Sequence, residues 1–266
     1  MNNPDIVLRQ DHDGVTILTL NAPDTINALS EAMLESLSAA LDRIAQDRSV
    51  KAVILRSAAK HFCSGHNLKE MTARREDDDG GFQYFQDLFA TCSAMMQRIV
   101  NLPQPVIAEV KGIATAAGCQ LVASCDLAVA SDDATFATSG VNIGLFCSTP
   151  MVALSRNVGR KAAMEMLLLG EFVPAHRAAE LGLVNRVVPR DALEDTAMEV
   201  ACTIADKSPA AVKIGKRAFY DQLDMPLAEA YAFTGRVMAE NMMSRDAEAG
   251  IGAFTRKEPM PAWTGE

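Results

Sequence analysis

The chain has 266 residues, 49% of them hydrophobic and 22% charged, which is enough for a large core and excludes wholesale disorder or a disulfide-stapled miniprotein. A formal net charge of −9 opposes broad contact with a phosphate backbone, so no nucleic-acid partner is expected. No apolar stretch approaches the roughly 20 residues of a bilayer span, so no membrane partner is expected either.

Val15 to Leu20 is a β-branched run after Gly14, and Ile6-Val7-Leu8 reads as its hairpin partner. Ser30 can cap a helix whose apolar residues Met33, Leu34, Leu37, Ala40, Leu41 and Ile44 recur at three-to-four spacing. Ala52 to Leu55 then reads as a buried strand, which completes a right-handed strand-helix-strand crossover. Asp77 to Gly81 reads as an acidic surface loop. A long helix follows, with Phe82, Phe85, Leu88, Phe89, Cys92, Met95, Met96 and Ile99 as its core stripe, until Pro103 and Pro105 stop it. Pro105 to Val110 and Leu127 to Ala130 flank a small-residue helix, Ala116 to Ser124, in a second crossover. From Met151 onward the pattern is helical: 161–169, 175–181, 191–206, 209–222, 227–241 and 245–254, with Asn185 to Val188 extended. The division expected is an α/β core over 1–190 and a helical region over 191–266 that mediates oligomerisation.

Six cysteines, Cys63, Cys92, Cys119, Cys125, Cys147 and Cys202, have neither C-x-x-C pairing nor histidine spacing, which points to buried free thiols and no metal site. Met1 to Asp13 carries acids and lacks both the apolar core of a secretory signal and the Arg-rich character of a transit peptide. A cytoplasmic protein is therefore expected.

Two loops can carry chemistry, because each places small residues just after a buried strand where backbone N–H groups can face a ligand. The first is His61 to Met71 and the second Lys111 to Gln120. Two N–H donors converging on one oxygen make an oxyanion hole, and the start of a helix favours negative charge there. By spacing alone, such glycine- and alanine-rich turns also serve as packing devices.

The segments Ile26-Asn27-Ala28-Leu29, Phe62 to Met71, Pro105 to Ala108, Gly118 to Leu121 with Cys125-Asp126, and Ala179 to Val184 resemble, in order and interval, the enoyl-CoA hydratase/isomerase (crotonase) family over nearly the whole chain. The resemblance implies an α/β fold, a crotonase-like spiral of ββα units with a helical C-terminal region. It implies homotrimers commonly paired into hexamers. It also implies an acyl-CoA or enoyl-CoA thioester held by its carbonyl, so that coenzyme A arrives as part of the substrate and no cofactor is resident. The two donors fall on the amides of His66 and Ala117. Ala28, Ser64, Gly65, His66, Asn67, Leu68 and Lys69 stand where relatives line the coenzyme, Lys69 offering a cation to phosphate. Phe254 and Lys257 resemble the region that reaches the coenzyme of a neighbouring subunit. Asn67 stands where the family tends to have Asp.

The chain departs from the family at its acid/base pair: Gln120 occupies one glutamate position and Gly140 the other. Neither can exchange a proton near neutral pH, so hydration by the usual route is expected to be slow. His66, or a water held by Gln120 and Asn142, could carry the proton instead. Ser148, with Cys147 and Thr149, lies where a related branch has a nucleophilic carboxylate, but needs a positioned base. Glu109 is expected to meet a charge at a subunit contact and Asp126 to be structural. The readings left open are a lyase or isomerase of fatty acyl-CoA metabolism with non-standard proton handling, a catalytically silent acyl-CoA-binding paralogue, and a CoA thioester hydrolase.

Overall fold

A computed structural model describes residues 5–266. Val7–His12 (β1) and Val15–Leu20 (β2) form an antiparallel hairpin. Asp13 and Gly14 both have positive φ, +46° and +86°, the turn whose twist matches that of the strands. β1 runs on through polar Arg9 to His12, beyond its expected end, because it is the edge of the sheet and its outer side faces solvent.

Helix α1, Glu31–Gln46, begins where Ser30 accepts a hydrogen bond from the Met33 N–H, and it buries the six predicted apolar residues. Strand β3, Ala52–Ser57, runs parallel to β2. Helix α2, Leu68–Ala73, is capped by the Asn67 side chain. Helix α3 is Phe82–Asn101, and the acidic loop before it is its cap: Asp79 accepts from the Gly81 and Gln83 N–H groups at 2.8 and 2.9 Å. Leu88, Cys92, Met95, Met96 and Ile99 enter the core, but Phe82 is exposed and Phe85 and Phe89 are half-buried. The first turns of α3 overhang the core, and Phe89 packs edge-on against His66 instead.

Strands β4 (Val106–Val110) and β5 (Ile113–Thr115) precede helix α4, Ala117–Ser124. Strands β6 (Leu127–Ser131) and β7 (Thr135–Ala137) follow, then helices α5 (Pro150–Asn157) and α6 (Arg160–Leu169). The chain continues through β8 (Val173–Pro174), α7 (Ala175–Glu180), β9 (Arg186–Val188) and α8 (Leu193–Ala205). It ends in α9 (Pro209–Gln222), α10 (Leu227–Met242) and α11 (Arg245–Arg256). The larger sheet has the order β1-β2-β3-β4-β6-β9, parallel from β2 onward, and β5-β7-β8 form a second sheet. β4 and β6 therefore lie in one sheet and β5 and β7 in the other, which is the spiral of ββα units. β5, β7 and β8 have only two or three residues each, too few to show a period in the sequence.

One face of the larger sheet packs on α1, α3 and α4. The other is covered by α8, whose Leu193, Ala197, Ala201 and Ala205 lie on Ile17, Ile54, Ile107 and Val129, as a parallel sheet requires. Packing thus places 193–205 with the core layers. α9 is held by Lys216, whose Nζ donates to the carbonyls of Ile99 and Gln104 and lies 2.7 Å from Asp126. In α10 only Ala230 is buried.

Candidate active site

Backbone hydrogen bonds join the two loops to each other and to the rest of the fold. Phe62 and Cys63 donate to the Ile113 carbonyl at 3.0 and 3.1 Å, Thr115 donates to Cys63 at 3.0 Å, and Leu29 donates to Gly65 at 2.7 Å. Asn27, fully buried with φ +50°, latches this corner. Its Nδ2 donates to Ser57 Oγ and the Phe62 carbonyl, and its Oδ1 accepts from the Ala22 N–H. Asn27 was legible only as a letter of the quoted motif, since a left-handed Asn carries no hydropathy signal. Ala28 is buried beside it.

Glycine permits the contact between the loops. A Cβ on Gly65 (φ +88°) would lie 3.2 Å from the Ala117 nitrogen, and one on Gly118 would lie 2.3 Å from the Cys63 carbonyl oxygen. Ala117 is the first residue of α4, and Ala116 before it has φ +51° and ψ −120°, a conformation strained for any residue with a side chain. Among the described residues neither the His66 nor the Ala117 N–H donates to a protein acceptor. Two uncommitted amides from adjoining turns, one at a helix N-terminus, can receive an oxygen on which negative charge develops.

His66 is half-buried with its ring against Phe89 at 5.5 Å, and neither ring nitrogen has a hydrogen-bond partner. Burial holds its pKa below the usual histidine value; the Leu29 backbone, too poorly placed to make a hydrogen bond, opposes this without overcoming it. The imidazole is neutral at pH 7. Gln120, in the first turn of α4, is buried with Oε1 unpartnered. Gly140 is buried in a short turn, and a Cβ there would lie 2.3 Å from the Leu145 carbonyl oxygen and 2.9 Å from Cys147 Sγ. The segment 145–147 fills the space that a side chain at 140 would need. Thr138, two residues earlier, is fully buried with its hydroxyl unpartnered. It was missed because an isolated Thr beside a two- or three-residue strand gives no signal.

Asn142 is engaged through its amide nitrogen. Its Nδ2 donates to the Gly170 carbonyl at 3.0 Å at the end of α6. Ser148 is exposed, and its hydroxyl points back at the Phe146 carbonyl with no base beside it. Burial raises the Cys147 thiol above its ordinary pKa and pushes Cys119 to about 12, so neither is an activated nucleophile. Glu109 is covered within its own chain. It is buried on the α8 side of β4, where burial raises its pKa against the pull of Arg56. Asp126 is structural, accepting from the Val106 N–H, Lys216 and Tyr220. Ser64 donates to the Thr25 carbonyl, and Leu68 and Lys69 open α2 on the surface, Lys69 without an ion-pair partner among the described residues. Phe254 and Lys257, at the end of α11, are exposed, and α11 packs chiefly on α9 and α10. Among the described residues no cluster of His, Cys, Asp or Glu could hold a metal.

The fold and this pair of loops define a crotonase-type α/β protein, and the family model described as enoyl-CoA hydratase/isomerase matches residues 10–266. The chain belongs to that family. It is 46% identical over 99% of its length to the mitochondrial enoyl-CoA hydratase domain-containing protein 3 of Xenopus laevis, covering 87% of that protein. It is 32% identical over 91% of its length to a probable enoyl-CoA hydratase of Rhizobium meliloti, covering 92% of it. A crystal structure of an enoyl-CoA hydratase from Mycobacterium smegmatis superposes with a TM-score of 0.92 at 54% identity, over 97% of this chain and 98% of that one. The human enoyl-CoA hydratase domain-containing protein 3 gives 0.92 at 46%, over 97% and 100%. The cytoplasmic expectation is corrected by the frog, rat and human relatives, all named mitochondrial.

Proposed function

We propose that the protein binds an acyl- or enoyl-CoA thioester with its carbonyl oxygen between the His66 and Ala117 amides, and acts on the acyl chain as a lyase or isomerase whose hydration is slow. The observation that carries this reading is the close approach of Gly65 to the Ala117 nitrogen, with both amides uncommitted. Charge that develops on the oxygen as the α-carbon loses a proton, or the β-carbon gains a nucleophile, meets two N–H dipoles and the positive end of α4. Each such donor contributes on the order of 3 kcal/mol to the transition state. His66, neutral and unengaged, is the proton acceptor of this reading. Gln120 can orient a ligand but cannot exchange a proton, and position 140 has no room for a carboxylate. No resident cofactor is required. Lys69 supports the phosphates, and Phe254 and Lys257 reach the coenzyme from a neighbouring copy. A homo-oligomer, a trimer or a dimer of trimers, is supported by exposed Leu227, Tyr231, Met238, Met242 and Phe254 on α10 and α11.

Crotonyl-CoA and longer enoyl-CoAs, followed by calorimetry and by loss of the conjugated-thioester absorbance, test this reading. Binding with slow turnover that falls at least tenfold in His66→Gln is expected. Failure of every CoA thioester to bind would overturn the reading, and rapid hydration would overturn the slow-hydration part. The filled space at Gly140 favours a second reading, a silent acyl-CoA-binding paralogue. Binding of all thioesters with no turnover at any chain length, unchanged in Gln120→Glu, would establish it over the first.

A further inference from the structure

The aromatic residues expected in the core stripe of α3 do not enter the core; on the turns that overhang it, their rings meet the segment 66–75 instead. The Arg74 guanidinium lies 4.8 Å from the Tyr84 ring centroid and that of Arg75 5.8 Å from the Phe85 centroid. The His66 and Phe89 rings form a T-shaped pair, with centroids 5.5 Å apart and an interplanar angle of 72°.

For His66 this contact takes the place of a hydrogen bond. A histidine that handles protons ordinarily has its ring oriented by a bond from its second nitrogen to a carboxylate or a carbonyl. Both His66 nitrogens are buried, and neither has a partner among the described residues. The charged groups on the elements around it are engaged elsewhere. Glu70 accepts from the Asn67 amide and the Glu31 N–H, Arg74 lies 3.9 Å from Glu31, and Asp87 accepts from Gln83. The outer torsion of a histidine is intrinsically broad. A T-shaped aromatic pair narrows it, because the edge of one ring is attracted to the face of the other in a preferred geometry. Orientation matters here: a proton acceptor must sit at hydrogen-bond distance from the proton it takes, and a displacement of about 1 Å costs on the order of 100-fold in rate.

We infer that Phe89 is the positioning residue of His66: its ring, presented by the overhanging turn of α3, fixes the imidazole for proton transfer and shields it from water. The inference rests on the reading above in which His66 accepts the proton, and deepens it by naming what holds the acceptor.

The test compares, in the full chain, Phe89→Leu, which keeps apolar bulk without a ring, with Phe89→Tyr, which keeps the ring. With crotonyl-CoA, Phe89→Leu is expected to lower kcat by about fivefold or more while KM changes by less than about twofold, because slow chemistry lets KM report binding and the paired amides still hold the carbonyl. Phe89→Tyr is expected to retain most of the native kcat. NMR titration of the imidazoles of His12, His61, His66 and His176 gives a readout independent of turnover, the His66 signal being the one that His66→Gln removes. Burial holds the His66 pKa below its ordinary value, so its midpoint should rise toward about 6.5 in Phe89→Leu and stay in place in Phe89→Tyr. If Phe89→Leu does not fold, Phe89→Met carries the same comparison. A native kcat in the ring-free variant, a loss confined to KM, or an unmoved His66 midpoint overturns the inference. Any of these with turnover still lost in His66→Gln sinks the positioning claim alone. Turnover unchanged in His66→Gln, or absent from the native protein, removes the acceptor reading and this inference with it.

Discussion

Ala116 holds the Ala117 amide toward its counterpart from a backbone conformation, φ +51° and ψ −120°, that glycine adopts freely and alanine does not. Strain of this kind costs about 1–3 kcal/mol and persists where the surroundings enforce it. Ala116→Gly is therefore expected to raise stability by about 1 kcal/mol, the relief of strain exceeding the extra freedom of glycine in the unfolded chain. Urea melts that show a loss instead would mean that the Ala116 methyl contributes packing against Gly65 that outweighs the strain. His66 provides a pH signature. Burial lowers its folded-state pKa, so as pH falls below the ordinary value of about 6.5 the unfolded chain takes up the proton first. The associated stability is complete above that value, declines as pH drops through the folded-state value, and then levels off. Denaturation midpoints measured between pH 5 and 8 should show this slope in the native protein and lose it in His66→Gln. The chemistry of these side chains was legible from the sequence, including that neither Gln120 nor Gly140 can exchange a proton. What was not legible was that 145–147 fills the space beside Gly140, because that depends on a turn with no periodic pattern.

At the scale of elements, α9 is joined to the strands by a buried charge pair. Lys216 and Asp126 are 2.7 Å apart with side chains 7% and 14% exposed, and burial lowers the Lys216 pKa while Asp126 opposes the shift. Removing one partner of such a pair leaves an uncompensated buried charge, at a cost of about 3–5 kcal/mol. Lys216→Met is expected to destabilise by about 3 kcal/mol, near the low end because Tyr220 and the Val106 N–H still serve the carboxylate. Adding Asp126→Asn should recover much of the loss; a double variant no better than the single would locate the cost in the lost bonds to the Ile99 and Gln104 carbonyls. Helix positions were largely legible, with the Ser30 cap and the apolar stripe of α1 emerging as read, because helices announce themselves through local spacing and caps. The pairing of Lys216 with Asp126 was not, since 90 residues separate them. Nor was the role of Asp79, which looks like any solvated acid until the helix it caps is in place.

For the whole molecule, the question is how the chain covers its last three helices. α10 exposes Leu227, Tyr231 and Met238 at 62–75% of their surface, an apolar face of the kind that subunit contacts cover. Sedimentation of the native protein is expected to give a trimer or hexamer, and Tyr231→Glu with Met238→Glu to shift it toward smaller species. A native monomer would refute the oligomeric reading. The longer strands and helices, the family and the two loops could be read from the sequence, because each is a local pattern or a fixed interval along the chain. The packing of α8 onto the second face of the sheet, the second three-stranded sheet, and the bond from the Ala116 N–H to the Ala137 carbonyl emerged only in the folded chain. Those relations join residues tens of positions apart through glycine-sized gaps and single hydrogen bonds, which leave no periodicity to read.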